Sequence, residues 1–254
     1  PGWHTECVVM SLGLLGEGFD LHTGGMDLQF PHHENERAQA VALGRGFARG
    51  WMHHAFVEVG GEKMSKSLGN FTSLTDLLSR TDPRAYRLLV LQSHYRSPME
   101  VTPSTISAAE ESLDRLDNFA RRFGVGRRAE GVRGGEVDAE KASLLRDRMD
   151  DDLDTPAAMA LVFDLVRQAN AAADASDSAR AQELAASAAG LSEVLGLGIG
   201  TEDARVDSGS AELVSRRDAA RTARDFAAAD AIRDQLEALG WTVEDTPGGT
   251  KIRR

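Results

Sequence analysis

The sequence FDLHTGGMDLQFPHHENE, residues 19–36, carries the clearest secondary-structure signals of the first part of the chain. Its opening apolar stretch, 19–22, is short and runs into a glycine pair, which is the pattern of a β-strand that ends in a turn. The second half predicts a helix over 31–43, because a proline opens this segment and Gly44 follows it. With a further short strand predicted over 56–59, the alternation predicts part of an α/β sheet.

From about Ser73 onward the pattern becomes helical. Two segments that open with proline, and three alanine-rich segments after them, have apolar residues at helical spacing. They predict helices over 83–91, 103–123, 139–150, 155–174 and 178–195. Two glycine-rich stretches, 124–135 and 196–209, are predicted to be flexible connections. The last module, 211–254, is predicted to contain two helices and a hairpin that turns at 247–249.

The composition excludes several classes of protein. The 254 residues are 41% hydrophobic and 27% charged, which is the balance of an ordinary folded protein. No apolar run approaches the roughly 20 residues of a membrane-spanning helix. A single cysteine, Cys7, leaves no internal disulfide and suits a reducing compartment. We therefore expect a cytoplasmic protein without a membrane partner, and we expect it to be a monomer.

The charge balance leaves nucleic acid open as a partner. The formal net charge is −11, from 29 basic and 40 acidic residues. An acidic balance does not favour nucleic acid, because phosphate contacts need lysine and arginine. Two stretches, 121–133 and 216–233, nevertheless gather arginines on short parts of the chain, so a local basic surface is compatible with the sequence.

The pentapeptide KMSKS, residues 63–67, is the sharpest local motif. Lys63 and Lys66 are three residues apart with hydroxyls beside them, and glycines flank the motif on both sides. Such a mobile basic loop can close over a polyphosphate and neutralise the charge that develops on leaving pyrophosphate. A solvated basic turn is the alternative for an ordinary pair of lysines. The pentapeptide is identical to the signature loop of class I aminoacyl-tRNA synthetases.

A metal site is the second candidate. His32 and Glu36 are four residues apart, so on a helix they share one face, where an imidazole and a carboxylate can bind the same ion. Cys7 would add a third ligand of a type that zinc accepts, and zinc would select a thiol over a hydroxyl. The alternative is that these histidines pack in the helix or cap it.

Several motifs, in the same order along the chain, resemble those of the cysteinyl-tRNA synthetase family. In the first part of the chain they are PGWHTEC at 1–7, GGMDLQFPHHENE at 24–36 and KMSKSLGNF at 63–71. In the remainder they are SHYRSP at 93–98, MDDDLDTP at 149–156, and the segments 225–234 and 244–247. Together they extend over nearly the whole chain.

The resemblance implies a thiol-selecting metal centre. It assigns one zinc ion per active site to Cys7, His32 and Glu36, with the thiolate of the substrate cysteine bound to the metal. It also assigns Trp3 to the amino-acid pocket.

The resemblance further implies a nucleotide site. From the residues alone, Gly25 and Asp27 either admit a ligand to the backbone and hold a ribose diol, or form a tight turn with Asp27 capping a helix. The family pattern assigns both residues, with Lys66, to ATP, which is used with Mg²⁺. It assigns Lys63 and Lys66 to catalysis.

The last module is expected to read the anticodon of tRNA(Cys). Its arginines and aspartates alternate on predicted helices, so they can form surface pairs at helical spacing or read the edges of splayed bases. The family resemblance favours base reading and assigns it to Arg221, Asp230 and Asp245.

The resemblance also implies the domain order. The fold class is α/β, the second half of a Rossmann-like class I synthetase catalytic domain, followed by an all-α helical bundle and a small α+β anticodon-reading module. The expected bounds are 1–72 for the catalytic part with the zinc site and lysine loop, 73–123 for connecting helices, 124–198 for the helical, DALR-like bundle and 209–254 for the last module.

The implied activity is cysteine–tRNA ligation, in which ATP activates cysteine to cysteinyl-adenylate and the aminoacyl group is transferred to tRNA(Cys). The sequence contains no His-Ile-Gly-His-like element and no second zinc-ligand cysteine. We therefore expect that the chain alone, resembling the C-terminal part of the family, does not activate cysteine. Two alternatives remain: a ligase that joins cysteine to an amino-sugar in mycothiol synthesis, and a non-catalytic tRNA-binding protein.

Overall fold

The computed structural model describes residues 2–65, 69, 72–128, 131–133, 137–200, 208–246 and 249–253. The chain divides into two compact units, Pro1–Gly200 and Thr201–Arg254. Within the described residues, none of the helices combines the length and the apolar character needed to cross a membrane.

The first unit begins with an α/β part in which two parallel strands lie beside two helices. These elements are α1 (Trp3–Leu14), β1 (Leu21–Gly25), α2 (Glu34–Ala42) and β2 (Gly50–His54). A small core of Val8, Ala40 and Phe47 joins them. Many large side chains of this part stay exposed, among them Leu14 and Phe30, which are 83% and 77% exposed.

The helix predicted over 31–43 begins later than expected. Residues Gln29–His33 form a π-helical turn, and regular α-helix starts only at Glu34. Phe30 has φ −137° and ψ 133°, an extended conformation that interrupts the helical path. At the other end the prediction is confirmed, because Gly44 has φ +68°, the left-handed conformation that follows many helices.

A second small sheet carries the first lysine of the KMSKS motif. It has the order β4-β3-β5, from β3 (Val57–Val59), β4 (Glu62–Lys63) and β5 (Met99–Glu100). The strand predicted over 56–59 is therefore confirmed. Lys63 was expected in a loop, but it pairs with Glu58 in the antiparallel β3–β4 ladder. Lys66 lies outside the described residues.

The rest of the first unit is mainly helical and has the largest core. Its helices are α3 (Leu74–Leu78), α4 (Pro83–Leu91), α5 (Pro103–Phe123), α6 (Ala139–Asp150), α7 (Thr155–Asp174) and α8 (Ser178–Val194). The predicted helices are confirmed to within one residue. Fully buried alanines on α7 and α8, such as Ala158 and Ala188, explain the alanine-rich sequence. Small side chains let the backbones of packed helices approach closely.

Both glycine-rich connections differ from expectation. Strands β6 (Gly126–Arg128) and β7 (Gly131–Arg133) pair antiparallel in the stretch predicted as a linker. In the second stretch, Leu197 and Ile199 are 0% and 1% exposed and belong to the core. Their burial overrides the local preference of the surrounding glycines for irregular structure. Residues 201–207 of this stretch lie outside the described residues.

A partly buried ion pair between Arg84 and Asp117 holds this core segment against the helices. Asp117 on α5 accepts hydrogen bonds at Oδ1 from Nη1 of Arg84 (3.1 Å) and from the backbone N–H of Gly200 (2.7 Å). We expect Asp117→Ala to lower the free energy of unfolding by about 2 kcal/mol, because a partly buried guanidinium and a backbone N–H lose an acceptor. Urea denaturation measures this effect. Asp114→Ala, on the exposed face of the same helix, is the control, and equal losses in both variants would contradict the prediction.

The second unit is a helical pair with a hairpin, as predicted. Its elements are α9 (Ser208–Thr222), α10 (Phe226–Ala238), β8 (Thr242–Thr246) and β9 (Gly249–Arg253). Its core contains Leu236, which is fully buried, and Trp241, whose Nε1–H donates to Oγ of Ser210 at 2.8 Å. Residues 247 and 248, the predicted tip of the hairpin, lie outside the described residues.

Candidate functional site

The predicted metal ligands come together in the α/β part. The ligand atoms of Cys7, His32 and Glu36 all lie within 4.8 Å of one another. Cys7 is on α1, Glu36 is on α2 and His32 lies in the π-helical turn before α2. The distance from Sγ of Cys7 to Nε2 of His32 is 3.7 Å, close to the ~3.5 Å expected for a thiolate and an imidazole on one tetrahedral zinc ion.

Glu36 is the most unusual member of this group, because its carboxylate is completely buried. Oε1 lies 2.7 Å from Nε2 of His32, and Oε2 lies 2.7 Å from Nε2 of His22. Within the described residues, neither oxygen is aligned to accept a hydrogen bond. Buried carboxylates without hydrogen bonds are expensive unless they bind a cation. The residues present therefore fit a metal ion.

Burial shifts the pKa values of Cys7, Glu36 and His33 toward their uncharged forms. Burial, and secondarily the neighbouring carboxylate of Glu36, raises the pKa of the Cys7 thiol. Burial also raises the pKa of Glu36. Burial and then the neighbouring imidazoles of His22, His53 and His32 lower the pKa of His33 to about 4. A bound cation reverses this tendency at a thiol, because a coordinating thiol is deprotonated.

Trp3, the residue predicted to belong to the amino-acid pocket, lies beside His32, and a second histidine group shares the carboxylate of Glu36. The ring of Trp3, which is 63% exposed, lies 4.4 Å from the ring of His32. The ligand atoms of His22, His33 and Glu36 also lie within 4.8 Å of one another, so two possible metal groups share Glu36. His22 was not predicted as a metal ligand, although it lies within residues 19–36. It is on β1 and Glu36 is on α2, so no helical spacing relates the two residues.

Gly25 and Asp27, two of the three residues predicted to bind ATP, line one cleft of about 320 Å³ together with Lys63, Met64 and the segment from His54 to Val57. The carboxylate of Asp27 accepts a hydrogen bond from Nζ of Lys63 at 2.6 Å, and this Nζ lies 4.3 Å from the ring centroid of Phe56. The hydrogen bond from Lys63 lowers the pKa of Asp27. The structure thus brings Gly25, Asp27 and Lys63 together.

The glycine pair has a packing reason that the sequence did not reveal. A Cβ atom at Gly24 would lie 2.7 Å from Cε1 of His33, and one at Gly25 would lie 2.6 Å from Oδ1 of Asp27. Asp27 lies in a 3-10 turn, Met26–Leu28, and does not cap it. His53 and His54 are the last residues of β2 and precede β3.

The SHYRSP and MDDDLDTP motifs pair with each other. The carboxylate of Asp152 accepts hydrogen bonds from Oη of Tyr95 and Nε of Arg96, each at 2.5 Å. These hydrogen bonds, first that of Arg96, lower the pKa of Asp152 to about 2. Both motifs also line a mainly apolar cavity of about 290 Å³. This contact links the segment after α4 to the turn before α7.

In the second unit the structure joins two of the three predicted anticodon residues. Nη1 of Arg221 donates to Oδ1 of Asp245 at 2.5 Å. Asp230 is exposed on α10, and no ion pair joins it to Arg221 or Asp245 in the part of the chain that the structure describes. Sequence reasoning missed Arg217, which binds the same carboxylate at 2.6 Å. Its position one helical turn before Arg221 was the available signal.

The alternative of surface pairs at helical spacing does not account for the contacts of Arg217 and Arg221. Arg217 and Arg221 bind Asp245 on β8 rather than an aspartate of their own helix. Asp225 instead caps α10 by accepting from the backbone N–H of Ala228. Both arginines of α9 bind the hairpin because the carboxylate of Asp245 lies within hydrogen-bond distance of each guanidinium.

Comparison with known proteins first defines the class. The family model described as the class I (C) catalytic domain of tRNA synthetases matches residues 1–111, and the DALR domain matches residues 145–199. The crystal structure of a LeuRS–tRNA–LeuAMS ternary complex from Agrobacterium radiobacter K84 has the same fold, with a TM-score of 0.53 and 18% identity over 70% of this chain and 26% of that chain. The first unit therefore has the fold of a class I tRNA synthetase.

More similar relatives define the family. The cysteine–tRNA ligase of Halorhodospira halophila is 44% identical over 100% of this chain and 56% of its own length. That of Clavibacter sepedonicus is 42% identical over 98% of this chain and 55% of its own length. The model described as the anticodon binding domain of cysteinyl-tRNA ligase matches residues 203–253. This chain belongs to the cysteinyl-tRNA synthetase family, and it spans a little over half the length of these relatives.

Proposed function

We propose that this chain supplies the thiol-selecting metal site, part of the nucleotide cleft and the anticodon-reading module of a cysteine–tRNA ligase. The observation that carries the proposal is the convergence of Cys7, His32 and the completely buried carboxylate of Glu36 in a chain of this family. The reaction joins the carboxylate of cysteine to the α-phosphate of ATP, with Mg²⁺, and releases pyrophosphate. The terminal ribose hydroxyl of tRNA(Cys) then attacks the carbonyl carbon of the adenylate, forms the ester and releases AMP.

Cys7, His32 and Glu36 are the residues that would hold the zinc ion. When bound, zinc supplies a Lewis-acidic site that prefers a thiolate to a hydroxyl, and so it distinguishes cysteine from serine. Trp3 contributes an exposed ring beside His32, a surface against which a small substrate can pack. Oε1 of Glu36 lies 2.7 Å from Nε2 of His32, so both atoms would face the same ion. The contribution of these residues is selection and orientation of the amino acid.

Asp27 and Lys63 would bind different parts of the nucleotide. A carboxylate suits the hydroxyls of a ribose, and an ammonium suits the phosphates and the charge on leaving pyrophosphate. In the structure they bind each other at 2.6 Å. Binding of ATP would therefore exchange one ion pair for two separate contacts. Lys66 would act with Lys63 on the phosphates. Catalysis of this kind depends on positioning and electrostatics.

The second unit would read the anticodon of tRNA(Cys). The similarity of residues 203–253 to an anticodon binding domain supports this role and favours tRNA over an amino-sugar as the acceptor. Arg221 and Asp245 are 35% and 40% exposed at their side chains, so both are accessible to splayed bases.

The test is binding of the 254-residue chain to tRNA(Cys) and to the same tRNA with a changed anticodon. We expect the change to weaken binding about tenfold or more, because unpaired polar groups at a base-reading surface are costly. Both titrations are made at one moderate salt concentration, since phosphate contacts depend on salt. Equal affinity for the two tRNAs would contradict anticodon reading by this module.

A further inference from the structure

Arg217 is a buried arginine at the centre of the second unit, where only 2% of its surface is exposed. Its Nη1 donates to Oδ1 of Asp245 and to Oγ1 of Thr250, each at 2.6 Å. Its Nη2 lies 3.4 Å from Oδ2 of the same carboxylate. The guanidinium therefore grips Asp245 through both carboxylate oxygens and joins α9 to both strands of the hairpin.

The burial of Arg217 is not explained by stability alone. A buried guanidinium loses its hydration, and an apolar side chain of similar size often stabilises a core at least as well. The Nε atom of Arg217 is also buried and has no hydrogen-bond partner among the described residues. The arrangement thus carries a cost in stability, and what it achieves is a fixed orientation of one half-exposed carboxylate.

Three arginines surround this carboxylate. Arg221 donates to Oδ1 at 2.5 Å, and Nη2 of Arg233 lies 3.6 Å from Oδ2. The hydrogen bond from Arg217, the largest cause, with the charges of all three arginines, lowers the pKa of Asp245. Oδ1 accepts two hydrogen bonds, from Arg217 and Arg221, whereas Oδ2 accepts one long hydrogen bond, from Arg217 at 3.4 Å. Oδ2 therefore keeps a lone pair for a further donor, on a side chain that is 40% exposed. A carboxylate oxygen of this kind accepts from base amino groups.

We infer that Arg217 is a positioning residue of the base-reading surface, which holds the carboxylate of Asp245, and through it the guanidinium of Arg221, in the orientation that contacts the anticodon. This inference rests on the proposed anticodon-reading function. Arg217 itself is too deeply buried to reach a base. Its effect on recognition must therefore pass through Asp245.

The experiment is a double-mutant cycle on the 254-residue chain. Arg217→Met and Asp245→Asn are made singly and together, and each protein is titrated with tRNA(Cys) and with the anticodon-changed tRNA. We expect Arg217→Met to reduce the ratio of the two affinities about tenfold. In the Asp245→Asn background the same change has no further effect, because the group through which Arg217 acts is already altered.

Two further variants separate positioning from folding. Arg217→Lys keeps the positive charge but cannot bind both carboxylate oxygens, so it is expected to retain part of the discrimination between the two tRNAs. If circular dichroism shows that Arg217→Met is unfolded, Arg217→Lys replaces it in the cycle. Arg216 is exposed on the same helix. Arg216→Met is expected to weaken the binding of both tRNAs equally or to leave it unchanged.

The outcomes are distinct. An unchanged affinity ratio in Arg217→Met or Arg217→Lys would overturn the inference, and so would an equal loss in both backgrounds, which is the result of a merely structural role. If the unsubstituted chain does not discriminate between the tRNAs, the proposed function and the inference both fail. If it does discriminate, only the inference is at stake.

Discussion

Replacement of Glu36 by glutamine is expected to reduce the zinc affinity of the chain about 100-fold or more. Changes in groups that only support a metal ligand already cost ten- to 100-fold, and Glu36 contributes a ligand atom itself. An amide oxygen is a weaker ligand than a carboxylate for a dication. Competition with a chromophoric chelator measures the affinity. Glu34→Gln, at an exposed position of the same helix, is the matched control.

The same site makes a prediction about the amino acid. The chain loaded with Co²⁺ in place of zinc is expected to change its visible absorption on addition of cysteine but not of serine, because a thiolate is the better ligand for the ion. Cys7→Ser tests the thiol of the protein in the same way and is expected to weaken the spectrum of the loaded chain. Zinc affinity that survives in both Glu36→Gln and Cys7→Ser would rule out this group as the metal site.

Lys63→Met is expected to weaken the binding of ATP about tenfold or more, while the binding of adenosine stays unchanged or becomes tighter. The ammonium contributes a charge-assisted contact to phosphate, which is worth about 1.5–3 kcal/mol. Its removal also frees Asp27 from the ion pair, so that the carboxylate no longer has to exchange a lysine for a ribose. Calorimetric titration with each ligand in the presence of Mg²⁺ measures both effects.

Asp27→Asn provides the complementary change in the same cleft. It is expected to weaken the binding of ATP and of adenosine to the same extent, because both ligands carry the ribose that the carboxylate would hold. Lys141→Met, on α6, serves as the control for removal of a lysine. If Lys63→Met weakens the binding of ATP and of adenosine equally, the lysine supports the shape of the cleft instead of contacting phosphate.

Local sequence was sufficient for most of the secondary structure. The helix α5 has its predicted bounds because Thr102 and Thr105 form a capping box at its start and Gly124, with φ +65°, ends it. These signals act within one helical turn, so they can be read from neighbouring letters. The π-helical turn before α2 escaped prediction, because the same letters also permit a regular helix that begins at Pro31.

The candidate sites divide in the same way. The sequence by itself predicted a metal site at Cys7, His32 and Glu36 and a phosphate contact at Lys63, from residue type, spacing and family resemblance. Tertiary structure alone placed His22 on the second oxygen of Glu36, Asp27 against Lys63 and Arg217 against Asp245. These pairs join residues 14, 36 and 28 positions apart: 36 − 22, 63 − 27 and 245 − 217. No helical or strand period connects such separations, so packing of whole elements decides which charges meet and which are buried.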